Sequence, residues 1–483
     1  MICTRFHLLV RGLNVLTILF ALAGSARADG PIPVGSRREL FVDHYLIERL
    51  DDARLELHRP QAREVAIVHD QPWEGNTCFY HSVFRDGDVY RMYYRGSHHV
   101  PGQSASHQTV CYAESKDGAE WTKPKLGIVE FEGSKENNII WDGVGRHNFV
   151  PFKDPNPDCK PEAKYKAIGG SKHEGGLFVF QSSDAIHWSL MSDKPVITDG
   201  AFDSQNLAFW DTKRGLYVDY HRQGRAGKRD IMTCISPDFL HWTTPKFLEY
   251  PGAPAEHLYV NQIQPYFRAP HIYLGFPKRF VPSRKSPIDH PLPGVSDTIL
   301  MSSRDGETFH RWQEAFVRPG LLPDRWVCRN NLVAWGLVET ASHLVGAPDE
   351  ISLYVVEGYY QGESCRVRRH TMRVDGFVSV AADLKGGRLQ TKPLVFAGTQ
   401  LELNFSTSAA GSVRVEVQDT DGKPINGFSA ANCPQLFGDS IARRVKWNSD
   451  ADLSSLAGTP VRLLFELHDA DLYSFQFVKS ESP

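Results

Sequence analysis

The chain has 483 residues, with 54 Lys and Arg against 57 Asp and Glu and a formal net charge of −3. That balance excludes a polybasic nucleic-acid binder and offers nothing to an anionic membrane surface. Aromatic residues make up 11% of the chain, including 10 Trp and 17 Tyr, which suits sheets and sugar-stacking surfaces alike.

Residues 1–28 read as an export signal. Arg5 and Arg11 make a positive n-region, Val15 to Ala23 an apolar h-region, and Ala26-Arg27-Ala28 a small-residue cleavage site. Cleavage after Ala28 is expected, giving a secreted or periplasmic protein with no membrane contact; an uncleaved anchor is the alternative. The apolar run is short for a bilayer span, and no later stretch reaches that length. Apart from Cys3, the cysteines are Cys78, Cys111, Cys159, Cys234, Cys328, Cys365 and Cys433. They are scattered, odd in number and lack C-x-x-C spacing, so buried free thiols are expected rather than a disulfide framework or a zinc site.

The segment from Arg37 to His69 contains the apolar run Leu40-Phe41-Val42 and then Leu46-Ile47. It is expected to supply a strand that closes a ring against the last unit, since closure removes exposed edges. One phrase then recurs four times with the spacing Ser-x-Asp-x-x-x-Trp/Phe: Ser115–Trp121, Ser182–Trp188, Ser236–Trp242 and Ser303–Phe309. Its aspartates are separated by 67, 54 and 67 residues, and a degenerate fifth copy falls at Arg373 to Phe377. A repeat of this length marks an array or propeller. Ser and Asp side chains suit a turn between strands, where they bond backbone N–H groups. Each phrase follows an alternating strand, a tight turn and two further strands, as in Tyr80–Phe84, Asp86-Gly87-Asp88 and Tyr90–Arg95. Five such units without an amphipathic helix between them predict a five-bladed β-propeller over 29–397, including the N-terminal closing segment. The Pro-rich stretch Pro282 to Ser296 is long for a loop within a blade, either a functional lid or a mobile insertion. From 398 to 483 short alternating strands such as Leu401–Phe405, Val413–Val417 and Val461–Phe465 predict a small antiparallel β-sandwich. The fold class is therefore all-β.

Five blades with S-x-D-G-x-x-W-type turns followed by a β-sandwich resemble the five-bladed glycoside hydrolases. These are the invertase, levanase and arabinanase group, similar to the glycosyl hydrolase family 32 N-terminal domain. The resemblance implies hydrolysis of glycosidic bonds at one mouth of the central channel, where the innermost strand of each blade begins. It implies carboxylates from the first, second and a later blade; no cofactor or metal is expected. The invertase-type W-x-N-D-P-N-G and E-C motifs are absent here, so no catalytic residue transfers by motif.

Position supplies the candidates instead. Residues just before each inner strand are expected to ring the mouth. Glu74, Asp203 and Glu256 are the acids so placed, and glycoside hydrolysis needs two carboxylates flanking the bond. Trp73, Asn76, Arg146, His147, Asn261, Arg279, Arg329 and Asn330 are the candidate substrate-binding residues, and Glu357 is a further acid. The expected function is an exported glycoside hydrolase-like propeller with a polysaccharide or oligosaccharide ligand. A non-catalytic propeller that binds glycan or protein is the alternative. The sugar, linkage and oligomeric state stay open.

Overall fold

The computed structural model describes residues 30–100, 107–448 and 452–479; the expected export signal and its cleavage site lie outside the described residues. Its regular structure consists of strands and single 3-10 turns, arranged as five blades, one larger sheet and a two-stranded parallel pair, Ile32–Gly35 with Leu394–Phe396. Blade one is built from Phe79–Asp86, Val89–Gly96 and Thr109–Ser115, with Trp121–Thr122 and Ile139–Trp141 alongside. Blade two runs Val150–Lys153, Tyr165–Ser171, Gly176–Ser182 and Ser189–Leu190. Blade three runs Leu207–Asp211, Leu216–Arg225, Lys228–Ser236 and Lys246–Phe247. Blade four adds two short strands, His257–Leu258 and Lys278–Val281, to Gln264–Tyr266, Ala269–Gly275, Val295–Ser303 and His310–Val317. Blade five is Val338–Thr340, Glu350–Glu357 and Arg366–Arg373, closed by Gln61–Val68 from the N-terminal side.

The recurring phrase occupies the same place in four successive blades, the turn after the third strand. In blade one Ser115 Oγ accepts from the Gly118 N–H at 2.8 Å, while Asp117 Oδ1 accepts from Ala119 and Glu120 at 2.8 and 2.9 Å. The Trp121 indole closes the turn by donating to the Gly118 carbonyl at 3.2 Å. Ser182/Asp184, Ser236/Asp238 and Ser303/Asp305 repeat the backbone contacts. The residue after the aspartate is left-handed each time, with φ of +76° at Gly118 and Gly306 but +70° at Ala185 and Phe239. Glycine suits that conformation; the two substituted turns hold it through their side-chain hydrogen bonds. Tyrosines of the preceding blade then tie the ring together. Tyr354, Tyr93 and Tyr220 donate to the carbonyls of Gly118, Ala185 and Gly306 at 2.6, 3.0 and 2.7 Å.

The fifth copy has a different task. Asp375 is left-handed (φ +62°) and fully buried, and it accepts hydrogen bonds from Tyr266 Oη at 2.7 Å and Ser474 Oγ at 2.7 Å. Instead of leading to an outer strand of its own blade, the chain turns here into the second sheet. The sheet pairing also moves the expected boundary at 398. Val378–Ala382 and Gly387–Thr391, placed in the ring by sequence, pair with the long strand Arg462–Val478. So does Arg38–Leu40, while Ile47–Asp51 and Arg54–Leu57 pair with the two strands after the turn. Of the N-terminal segment, only Gln61–Val68 closes the ring.

Two long antiparallel strands, Gln400–Gln418 and Arg462–Val478, form the spine of this sheet. Their register breaks between Thr407 and Ser412. Both halves send side chains into one core, with Leu403, Phe405, Phe475 and Phe477 from one half and Val413, Val415, Leu463 and Phe465 from the other. A second core joins this unit to the ring: Leu40 and Val42 pack with Tyr266, Phe276, Phe316 and Phe377. The seven cysteines among the described residues are free, and six are buried.

Candidate functional site at the channel mouth

The channel is floored by buried amides. Gln205 donates to the carbonyls of Tyr80 and His81 at 3.2 and 3.0 Å; Gln262 donates to Gln205 Oε1 at 2.8 Å and to the Val333 carbonyl at 2.7 Å. Asn148 donates to the carbonyls of Phe202 and Ser204 at 2.7 and 2.6 Å, which fixes the loop carrying Asp203. Around this floor the backbone is left-handed at non-glycine residues of four blades, Tyr80, Phe202, Gln262 and Arg329. Such conformations persist only where the surroundings hold them, and they gather at functional sites.

Above the floor, Asp203 is the open carboxylate, with 61% of its side chain exposed. Its Oδ1 lies 3.5 Å from His147 Nε2 and its Oδ2 3.5 Å from Arg222 Nη2. Burial of its inner part pushes this carboxyl up, but the His147 hydrogen bond and the Arg222 and Arg329 charges outweigh it and hold it at about 2. A cleft of about 470 Å³ opens beside it, lined by Gln108, Arg146, His147, Ser171, His173, Glu174 and Asp203. Glu174 is the second carboxylate of that cleft. Its Oε1 accepts from the Gly145 N–H at 2.8 Å and its Oε2 from Ser171 Oγ at 2.8 Å.

Through its partner Arg222, Asp203 adjoins a largely buried wall of cationic and aromatic side chains. Four basic groups surround the Tyr259 ring: Lys278 at 4.3 Å from its centroid, Arg222 at 5.4 Å, Arg229 at 5.8 Å and Arg329 at 5.9 Å. Tyr259 Oη is 2.8 Å from Tyr80 Oη, and Arg95 stacks on Tyr80 at 4.9 Å. Arg95 also donates to Tyr359 Oη at 3.1 Å, and Arg329 lies over the Tyr359 and Tyr360 rings at 5.7 and 5.8 Å. Charges within 6 Å of one centroid lie within 12 Å of each other. At an effective dielectric of about 20, each such pair repels by about 1 kcal/mol or more. Among the described residues, Asp203 is the one carboxylate within ion-pair distance of any of Arg95, Arg222, Arg229, Lys278 and Arg329. Lys278 is only 1% exposed, and burial, together with Arg329, Arg229 and Arg222, brings its ammonium down to about 7 although Cys328 acts the other way.

The structure brings together four of the residues singled out by sequence: Arg146, His147, Asp203 and Arg329. It places the others elsewhere. Glu74 is fully buried, its Oε2 2.6 Å from Lys123 Nζ and its Oε1 2.5 Å from Tyr94 Oη. Burial raises its carboxyl, yet His69 and Lys123 bring the net result below the ordinary value. With no exposed surface it cannot meet a ligand. Glu256 is held by Arg279 at 3.4 Å and Arg311 at 3.1 Å, beside the outer strand of blade four. Arg279 spends its fork on Asp297 at 2.7 and 2.9 Å. Glu357 is buried under Arg325, Arg366 and Arg368. Asn76 ties the His99 N–H and carbonyl to the Gly362 carbonyl, and Trp73 donates to Asn138 at 2.6 Å. Asn261 donates to the Tyr220 carbonyl in the channel wall; Asn330 accepts from the Tyr359 N–H at 3.0 Å and so sets that ring's position. The Pro-rich loop of blade four reaches this rim, with His290 Nε2 3.0 Å from the Tyr359 carbonyl oxygen.

Sequence reasoning missed Glu174, Arg222, Arg229, Tyr259 and Lys278. Arg222 and Arg229 sit on either side of a hairpin that lengthens blade three beyond its expected strands, and Glu174 sits in the turn of the blade-two hairpin. A side-chain cluster elsewhere, Asp219, His221 and Cys234, has donor atoms within 4.8 Å of one another. It is spoken for internally, with His221 Nδ1 at 2.5 Å from Asp219 and its Nε2 at 2.9 Å from the Asp199 carbonyl.

The Glycosyl hydrolases family 32 N-terminal domain matches residues 56–201. No curated protein matches the chain. Among solved structures, one titled glycoside hydrolase is 15% identical, covering 65% of this chain and 92% of its own, with a TM-score of 0.44. An N-acetylgalactosamine deacetylase from F. plautii, in complex with blood group B trisaccharide, is 12% identical over 66% of this chain and 96% of its own (TM-score 0.43). A glycosyl hydrolase from Bacteroides ovatus is 14% identical over 70% and 93%, respectively, with a TM-score of 0.37. The chain carries a five-bladed propeller, and the match to the family 32 N-terminal domain runs from its N-terminal strands to the loop that leads into blade three.

Proposed function

We propose that the protein is an exported, carbohydrate-active propeller that binds a glycan at the channel mouth and hydrolyses a glycosidic bond there. The observation that carries this reading is the pairing of Asp203 and Glu174 as the two carboxylates of one cleft. Asp203, held ionised by His147 and Arg222, is suited to act as base, nucleophile or stabiliser of developing positive charge at the anomeric carbon. Glu174 then delivers the proton to the leaving oxygen. Tyr360, partly exposed at the rim, offers a ring for a sugar face. A binding-only reading is favoured by one detail: both Glu174 oxygens are already engaged, by a backbone N–H and by Ser171.

The test is release of reducing ends from a panel of polysaccharides by the mature protein, with Asp203→Asn and Glu174→Gln made separately. General-acid assistance is worth about 10²–10⁴-fold, so Glu174→Gln should lose at least that order of turnover with glycan affinity kept. Full turnover in both variants would remove the catalytic assignment. Tight glycan binding without cleavage by the wild type would establish the binding-only reading.

A further inference from the structure

Five basic side chains converge on the Tyr80–Tyr259–Tyr359 wall, and Asp203 is the one acid within ion-pair distance of any of them among the described residues. The chain as a whole is slightly acidic, so this is a local concentration and not a reflection of composition. Two of the five are more than nine-tenths buried, Lys278 at 1% and Arg95 at 6% exposure. Neither makes an ion pair within the described residues, and Arg95 Nε lacks a hydrogen-bond partner. Lys278 meets the Tyr259 ring face. A stacked ring offsets only part of a buried cation's lost hydration, and of Arg95's donors Nη2 is engaged by the Thr77 carbonyl and Tyr359 Oη. Arg329 and Arg229 are similarly stacked and carry no carboxylate.

We infer that the Tyr259 wall is a subsite for an anionic substituent of the carbohydrate, a carboxylate or a sulfate ester, received by Lys278, Arg229 and Arg329. Guanidinium forks match either group bidentately, and the ammonium supplies a point charge at the base. This deepens the proposed function and rests on that reading: the neutral ring lies toward His147 and Asp203, and its charged group lies toward the neighbouring Tyr259 cluster.

The experiment compares matched pairs by titration calorimetry. One pair is an oligogalacturonide and its methyl ester; the other is a sulfated galacto-oligosaccharide and its desulfated form. The charged member of at least one pair should bind ten-fold tighter or more, with the advantage shrinking as NaCl rises from 50 to 200 mM, roughly as expected when exposed charges are screened. Which pair shows the advantage tells carboxylate from sulfate. The double variant Arg229→Gln/Arg329→Gln should remove the charged member's advantage, costing it at least ten-fold more affinity than it costs the neutral member. Equal affinity within both pairs, or equal loss of both members in the double variant, overturns the subsite while leaving neutral-glycan hydrolysis standing. Sodium sulfate at ionic strength matched to NaCl is the control free of sugar. It should raise the thermal midpoint of the wild type more than that of the double variant. That result with no glycan bound would support the anion site and refute the carbohydrate reading, whereas equal midpoint shifts would count against the site itself.

Discussion

Lys278→Met tests whether the mouth is held against its own electrostatics. A lysine ordinarily titrates near 10.5, and burial beside Arg222, Arg229 and Arg329 brings this one to about 7, with Tyr259 and Cys328 as its other near neighbours. That difference corresponds to about 5 kcal/mol between charged and neutral forms. Between pH 7 and 10.5 the unfolded chain binds more protons than the folded one, so this group makes stability rise with pH across that window. Below pH 7 the penalty is fully present. Methionine has similar length, no charge and fits against Tyr259, so the variant should be more stable than the wild type by about 3–4 kcal/mol near pH 6. The advantage should vanish near pH 10. Thermal midpoints at pH 6, 8 and 10, read by intrinsic fluorescence, measure it. A variant that melts lower at every pH, or whose advantage does not change with pH, would refute the view that the ammonium is strained by its surroundings. Loss of ligand affinity alongside the gain in stability is the expected trade.

Four further outcomes follow from the same structure. Glu74→Gln leaves Lys123 and His69 without their partner in a buried site and should cost about 3 kcal/mol of stability, seen in urea melts, while glycan affinity stays within two-fold. Asp203 should remain ionised in titrations monitored by NMR down to about pH 2, and Arg222→Gln should raise that midpoint, because an opposing charge is removed. Ser303→Ala removes the acceptor for the Gly306 N–H and should cost about 1–2 kcal/mol; the equivalent Ser236→Ala should cost at least as much, because Phe239 must then hold φ of +70° unaided. Glu256→Gln, outside the cleft, should leave turnover on any cleaved glycan unchanged.

The ring was legible because its repeat is local chemistry. A Ser and an Asp two residues apart capture backbone N–H groups wherever a third strand turns, so sequence spacing translates directly into blade spacing. The second sheet was harder to bound, because Val378–Ala382 and Gly387–Thr391 alternate as blade strands do and only long-range pairing assigns them. At the mouth, chain position singled out Asp203, His147 and Arg329, which the fold brings together, but could not tell an open carboxylate from one capped by a lysine. Glu74 and Asp203 precede inner strands alike; Lys123, 49 residues away from Glu74 in sequence, separates their fates. Arg222 and Lys278 carry no motif at all. Their common property is proximity to one tyrosine ring, which no single-sequence pattern encodes.

The way the N-terminal strands are shared has a consequence for biogenesis. Gln61–Val68 completes the last blade, and the strands just before it are held by segments that emerge from the ribosome at the far end of the chain. Blades one to four can pair internally as they are made, but the first strands must wait, unpartnered, until roughly the final hundred residues arrive. Pairing of such sequence separation is slow, since the loop entropy is lost before any contact repays it. Ring closure is therefore a late step, and the open-edged four-blade intermediate that precedes it is the species most in need of a chaperone.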